Sequence, residues 1–95
     1  MWPKETISYN EQDFRATPYL ATVEGEARRI GVDLSRYEFL DAIVTQTTSG
    51  GHLEAIYELA PIPNESVSRI TLFTVFVEWD ADGRVTSQQT EVTED

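Results

Sequence analysis

The segment Ser68–Trp79 constrains the fold more than any other part of the chain. It runs Ser-Arg-Ile-Thr-Leu-Phe-Thr-Val-Phe-Val-Glu-Trp. β-Branched and aromatic side chains predominate, and these suit a pleated, half-buried surface. Alternation along a strand places Ile70, Leu72, Thr74 and Phe76 on one face and Phe73, Val75, Val77 and Trp79 on the other. Both faces are apolar, so the pattern predicts a central strand covered on each side. Helices are the expected cover for one face, and a partner subunit for the other.

The flanking segments supply the rest of a sheet. Asp80-Ala81-Asp82-Gly83 reads as a hairpin turn, because Asp-Gly accepts the positive φ angles that tight hairpins require. Arg84–Val92 returns with few large apolar groups and is expected at an edge. Upstream, His52–Ala60 alternates, with Leu53, Ala55, Tyr57 and Leu59 on one face and Glu54, Ile56 and Glu58 on the other. Pro61-Ile62-Pro63-Asn64 ends it, since proline cannot donate to a ladder. Gly50-Gly51 reads as the preceding turn.

Tyr37–Thr48 carries two signals. Leu34, Tyr37, Leu40 and Val44 have helical spacing behind a cap at Asp33 or Ser35, yet Phe39, Ile43 and the threonines favour strand. The expectation is helix first and strand at the end. An all-strand version would put Phe39 and Ile43 on one face and Leu40, Ala42 and Val44 on the other. Before it, Thr17-Pro18 looks like a helix start, with Thr as N-cap and Pro in the first turn. Tyr19, Leu20, Val23, Ala27 and Ile30 follow at helical spacing, Arg28 and Arg29 suit the last turn, and Gly31 is a stop. Gly25 weakens this helix by about 1 kcal/mol relative to Ala; close approach of a strand is the expected reason for it. The fold class that follows is α+β: one or two N-terminal helices packed on a three- to four-stranded antiparallel meander, in one domain over residues 1–95.

Composition excludes several kinds of chemistry. There is no cysteine, so disulfides, thiolate metal sites and a Cys nucleophile are ruled out. The net charge is −10, with one Lys and six Arg among 95 residues, whereas phosphate-binding surfaces concentrate Lys and Arg. Direct nucleic-acid binding and attachment to an anionic membrane are therefore not expected. The N-terminus lacks the basic-then-apolar pattern of a signal peptide, and with no cysteine the expected setting is cytoplasmic.

No constellation reads as catalytic. His52 is the only histidine, and one imidazole cannot build a multi-histidine metal site. Glu78-Trp79-Asp80-Ala81-Asp82-Gly83 resembles the start of a calcium loop, but Gln89 stands where the closing bidentate Glu belongs. Glu54 and Glu58 share a strand face about 13 Å apart, wider than paired glycosidase carboxylates. Asn64-Glu65-Ser66 matches a glycosylation triplet without a secretion signal. No enzyme activity, metal or other cofactor is expected.

Tyr37–Val44, the loop Gln46-Thr47-Thr48-Ser49-Gly50 and the strand Leu53–Leu59 together resemble the cystatin family. Its order is a helix, a strand, a Gln-x-Val-x-Gly hairpin loop and further antiparallel strands. The resemblance spans Tyr19–Val92 in element order. Gln46 and Gly50 match the loop, Thr48 stands at its valine, the family's N-terminal glycine has no counterpart, and Trp79 follows Glu78 where a Pro-Trp pair belongs. What it implies is a helix-on-sheet shape.

The expected function is that of a small acidic protein-binding module: an inhibitor, immunity or accessory protein, in one variant a DNA mimic. Its partner is expected to carry a basic patch. The candidate contact residues are the aromatics Trp2, Phe73 and Trp79, since aromatics dominate binding hot spots, with the acids Glu54, Glu58, Glu78, Asp80 and Asp82. Alternatives are a small-ligand or enzymatic pocket between helix and curved sheet, and a homodimer or larger homo-oligomer whose sheet faces pack together.

Overall fold

The computed structural model describes residues 5–61 and 70–94. In chain order it holds β1 (Glu5–Tyr9), α1 (Glu11–Arg15), α2 (Tyr19–Ile30), a 3₁₀ turn (Leu34–Arg36), β2 (Tyr37–Thr47), β3 (Gly50–Leu59), β4 (Thr71–Asp80) and β5 (Val85–Glu94). The strands form one antiparallel sheet in the order β1-β2-β3-β4-β5. The helices join β1 to β2 and lie over one face, so the architecture is helix on sheet.

Two expectations are corrected. The sheet has five strands among the described residues, because Glu5–Tyr9 pairs with Gln46–Ala42. The segment opening at Tyr37 is strand through Thr47; the helical signal before it yields only the preceding 3₁₀ turn, Leu34–Arg36, where Asp33 accepts from the Ser35 amide. Nor does either all-strand face survive. A bulge at Leu40 leaves it unpaired and shifts the register between Phe39 and Asp41. Phe39 therefore points the same way as Ala42 and Val44, while Glu38, Asp41 and Ile43 point the other way.

The core lies between α1, α2 and what we term the inner face of the sheet. Val23 and Ala27 from α2 and Phe14 from α1 pack on Ala42, Val44, Leu53, Ala55, Tyr57, Phe73, Val75 and Val77, all buried. The helix starts one residue later than its Thr-Pro signal suggests. Pro18 is the N-cap of α2, and Thr17 instead donates its hydroxyl to the Phe14 carbonyl, closing α1. Gly31 ends α2 in the left-handed conformation (φ 78°), as its position predicts. No atom lies within 4 Å of a Cβ built on Gly25, so close strand approach does not account for that glycine.

The glycine pair after β2 has a different role from a turn. Thr48 and Ser49 make the turn, and Gly50 and Gly51 already belong to β3. A Cβ on Gly50 would sit 2.3 Å from the Trp79 carbonyl oxygen, and one on Gly51 would sit 2.8 Å from the Trp79 ring. The pair lets β4 close in and the indole lie across the strand. The β4–β5 turn is as expected. Asp80 accepts from the Asp82 and Arg84 amides, and Gly83 has φ 84°.

Candidate protein-docking face

Register assigns the side chains to two faces. The outer face, away from the helices, carries Glu38, Asp41, Ile43 and Thr45 from β2 and His52, Glu54, Ile56 and Glu58 from β3. From β4 it carries Leu72, Thr74, Phe76 and Glu78, and from β5 Ser87, Gln89, Glu91 and Thr93. No described element covers it. Ile43, Ile56, Leu72 and Phe76 are nonetheless only half-exposed, because neighbouring strands flank them on the pleated surface.

The charge on this face is one-sided. Six carboxylates project from it, those of Glu38, Asp41, Glu54, Glu58, Glu78 and Glu91. The described arginines lie elsewhere: Arg15, Arg28 and Arg29 on the helices, Arg36 on the 3₁₀ turn and Arg84 beside the hairpin turn. Glu38 and Glu58 stand directly opposite one another, a destabilising arrangement for like charges. Glu54 lies between Ile43 and Phe76 on the adjoining strands. The Phe76 ring stacks on His52, with centroids 5.6 Å apart and planes 18° apart. Asp41 accepts from the Ser8 hydroxyl at 2.9 Å. Among the described residues the other five carboxylates have no hydrogen-bond or ion-pair partner.

The expected contact residues divide accordingly. Glu54, Glu58 and Glu78 come together on the outer face, while Asp80 is the last residue of β4, its carboxylate accepting from the turn amides, and Asp82 sits in the β4–β5 turn. Phe73 is 0% exposed and packs against Tyr37 and Tyr57 in the core. Trp79 is half-buried at one end of the inner face, stacked on Tyr19 and donating its indole N–H to Gln46 at 2.9 Å. Trp2 lies outside the described residues, as does the Asn64-Glu65-Ser66 triplet. The outward aromatic of β4 is Phe76, which the alternation already displays opposite Phe73.

Two further features lie on the helix side. A cleft of about 380 Å³ opens between α2 and the β4–β5 end, lined by Tyr19, Thr22, Leu53, Val77, Trp79, Val85 and Gln88. Beside it is the buried carboxylate of Glu26, which accepts from the Gln88 amide and the Arg29 guanidinium. The Gln88 hydrogen bond, with Arg29 adding to it, holds that carboxyl below its ordinary pKa. In sequence Glu26 reads only as an acid in the first half of the helix, since nothing in α2 announces its partner from β5. Among the described residues no group of three or more His, Asp or Glu side chains is placed to hold a metal ion, and no helix is long and apolar enough to cross a membrane.

No protein-family model, curated protein or solved structure matches the chain. Geometry alone therefore carries the functional reading.

Proposed function

We propose that the chain is a small protein-binding module that acts by surface complementarity and engages a partner bearing a basic surface. The observation that carries this reading is the outer face, with six carboxylates, no lysine or arginine among the described residues, and half-exposed apolar groups between them. Desolvated apolar groups supply affinity, and the one-signed charge supplies steering and discrimination. Self-packing through this face is disfavoured, because it brings two sets of like charges together. The interleaved Ile43, Ile56, Leu72 and Phe76 favour a partner with apolar side chains of its own over a pure phosphate-mimicking contact. The likeness to cystatins enters as shape alone, with no role assigned to the Gln46–Gly50 loop.

The test is to recover bound proteins, purify each one, and titrate it into isotope-labelled chain. Amide shifts are expected on β3 and β4 at outward positions, with affinity falling as salt rises. Shifts confined to α2 and the inner-face cleft would reject the reading. They would favour a second one, a small-ligand site in that cleft, whose volume reaches the lower end of the range for ligand pockets.

A further inference from the structure

Resting on that reading, we infer that the outer face takes a partner segment that presents arginine among apolar side chains, with Glu54 as the arginine's anchor. Glu54 sits on the central strand, directly opposite Ile43 on one side and Phe76 on the other. Directly opposed residues of antiparallel strands have Cβ atoms about 4.5–5.5 Å apart. Glu54 is thus flanked by an aliphatic and an aromatic residue on the same face, and the residue as a whole is partly buried. Among the described residues nothing hydrogen-bonds to it and no cation neutralises it.

This environment discriminates between the two basic side chains. An ammonium is compact and strongly hydrated, so it loses much on entering an apolar-walled site. A guanidinium is planar and weakly hydrated. It can bind a carboxylate through two parallel N–H bonds while its plane lies on an aromatic ring. Phe76 offers that ring beside Glu54, and His52 stacked on it fixes its orientation. Ile56 and Leu72 extend the apolar surface towards the other end of the face, for the partner's aliphatic groups. A second copy of this chain is a poor occupant, because its own outer face brings only more carboxylates.

The experiment titrates the full chain with two synthetic amphipathic peptides, identical except that one carries arginine and the other lysine at every basic position. The arginine peptide is expected to bind about tenfold more tightly, the scale of one charge-assisted hydrogen bond. Glu54→Gln and Phe76→Leu should each remove most of that preference. Glu91→Gln, on the edge strand of the same face, should weaken both peptides alike. Amide spectra of each variant confirm that it folds. Equal affinity for the two peptides, or an arginine preference unchanged in Glu54→Gln, overturns the assignment of Glu54 while leaving the docking face standing. Failure of both peptides to bind overturns the assignment and counts against the docking face as well.

Discussion

At the scale of single residues, two side-chain positions carry checkable energetics. Gly25 lies inside α2 with open space where a Cβ would be. Gly25→Ala should therefore stabilise the protein by about 0.5–1 kcal/mol, through helix propensity and a less free unfolded chain. A rise in the urea midpoint at unchanged slope checks it. Glu26 is 4% exposed, and its carboxylate joins α2 to β5 through Gln88. Because its folded pKa lies below the ordinary value of 4.5, the unfolded chain takes up its proton first as pH falls. The stability this group contributes is complete above about pH 4.5 and is lost as pH drops through the folded pKa. Glu26→Gln should flatten that part of the stability–pH curve. It should also cost about 1–3 kcal/mol near neutrality, the scale of a lost hydrogen bond to a charged group. A curve as steep as that of the parent would show that other carboxylates govern acid unfolding.

At the scale of elements, the Gly50-Gly51 pair gives a third prediction. Gly51→Ala places a Cβ 2.5 Å from the Thr45 carbonyl oxygen and 2.8 Å from the Trp79 ring. The indole and the strand must both give way. The cost should be on the order of 1–3 kcal/mol, with a shift in tryptophan emission as Trp79 leaves Tyr19, read from denaturation curves and fluorescence. The glycines were legible in sequence as a break, but their reason was not, since it depends on a ring from a strand 28 positions away. The same limit explains the other differences. β3 and β4 alternate strictly, so their faces could be assigned residue by residue, Phe76 outward and Phe73 inward. β2 could not, because a single bulged residue at Leu40 inverts every assignment before it. β1 was missed because Glu5–Tyr9 is a short, exposed edge whose pairing is fixed by β2 rather than by its own pattern. For the candidate site, the acids of β3 and β4 were visible, whereas their union with Glu38, Asp41 and Glu91 depends on register across four strands.

At the scale of the whole molecule, the distribution of charge matters more than its sum. The chain's net charge of −10 is compatible with many arrangements, and an even spread would relieve repulsion. Instead the fold confines the described arginines to the helices and turns and, among the described residues, leaves the charge of the outer face acidic. Glu38 facing Glu58 is the sharpest instance, a like-charge pair on a surface where neither side chain is needed for the core. Such an arrangement weakens the free protein, and docking to a basic surface is what would offset it. The two consequences can be separated with one substitution. Glu58→Lys converts the opposed pair into an attractive one and lowers the charge on the face by two units. In isolation the variant should be more stable by about 0.2–1 kcal/mol, and the gain should shrink as salt screens the pair. Against an arginine-bearing partner it should bind more weakly, and that loss too should diminish with salt. Thermal denaturation at low and high salt gives the first quantity, and calorimetric titration under the same conditions gives the second. A variant that gains stability and loses affinity marks a surface organised for a partner at the expense of the free fold. If it gains stability with affinity unchanged, Glu58 lies outside the contact, and the docking face contracts to the half of the sheet around Glu54 and Phe76.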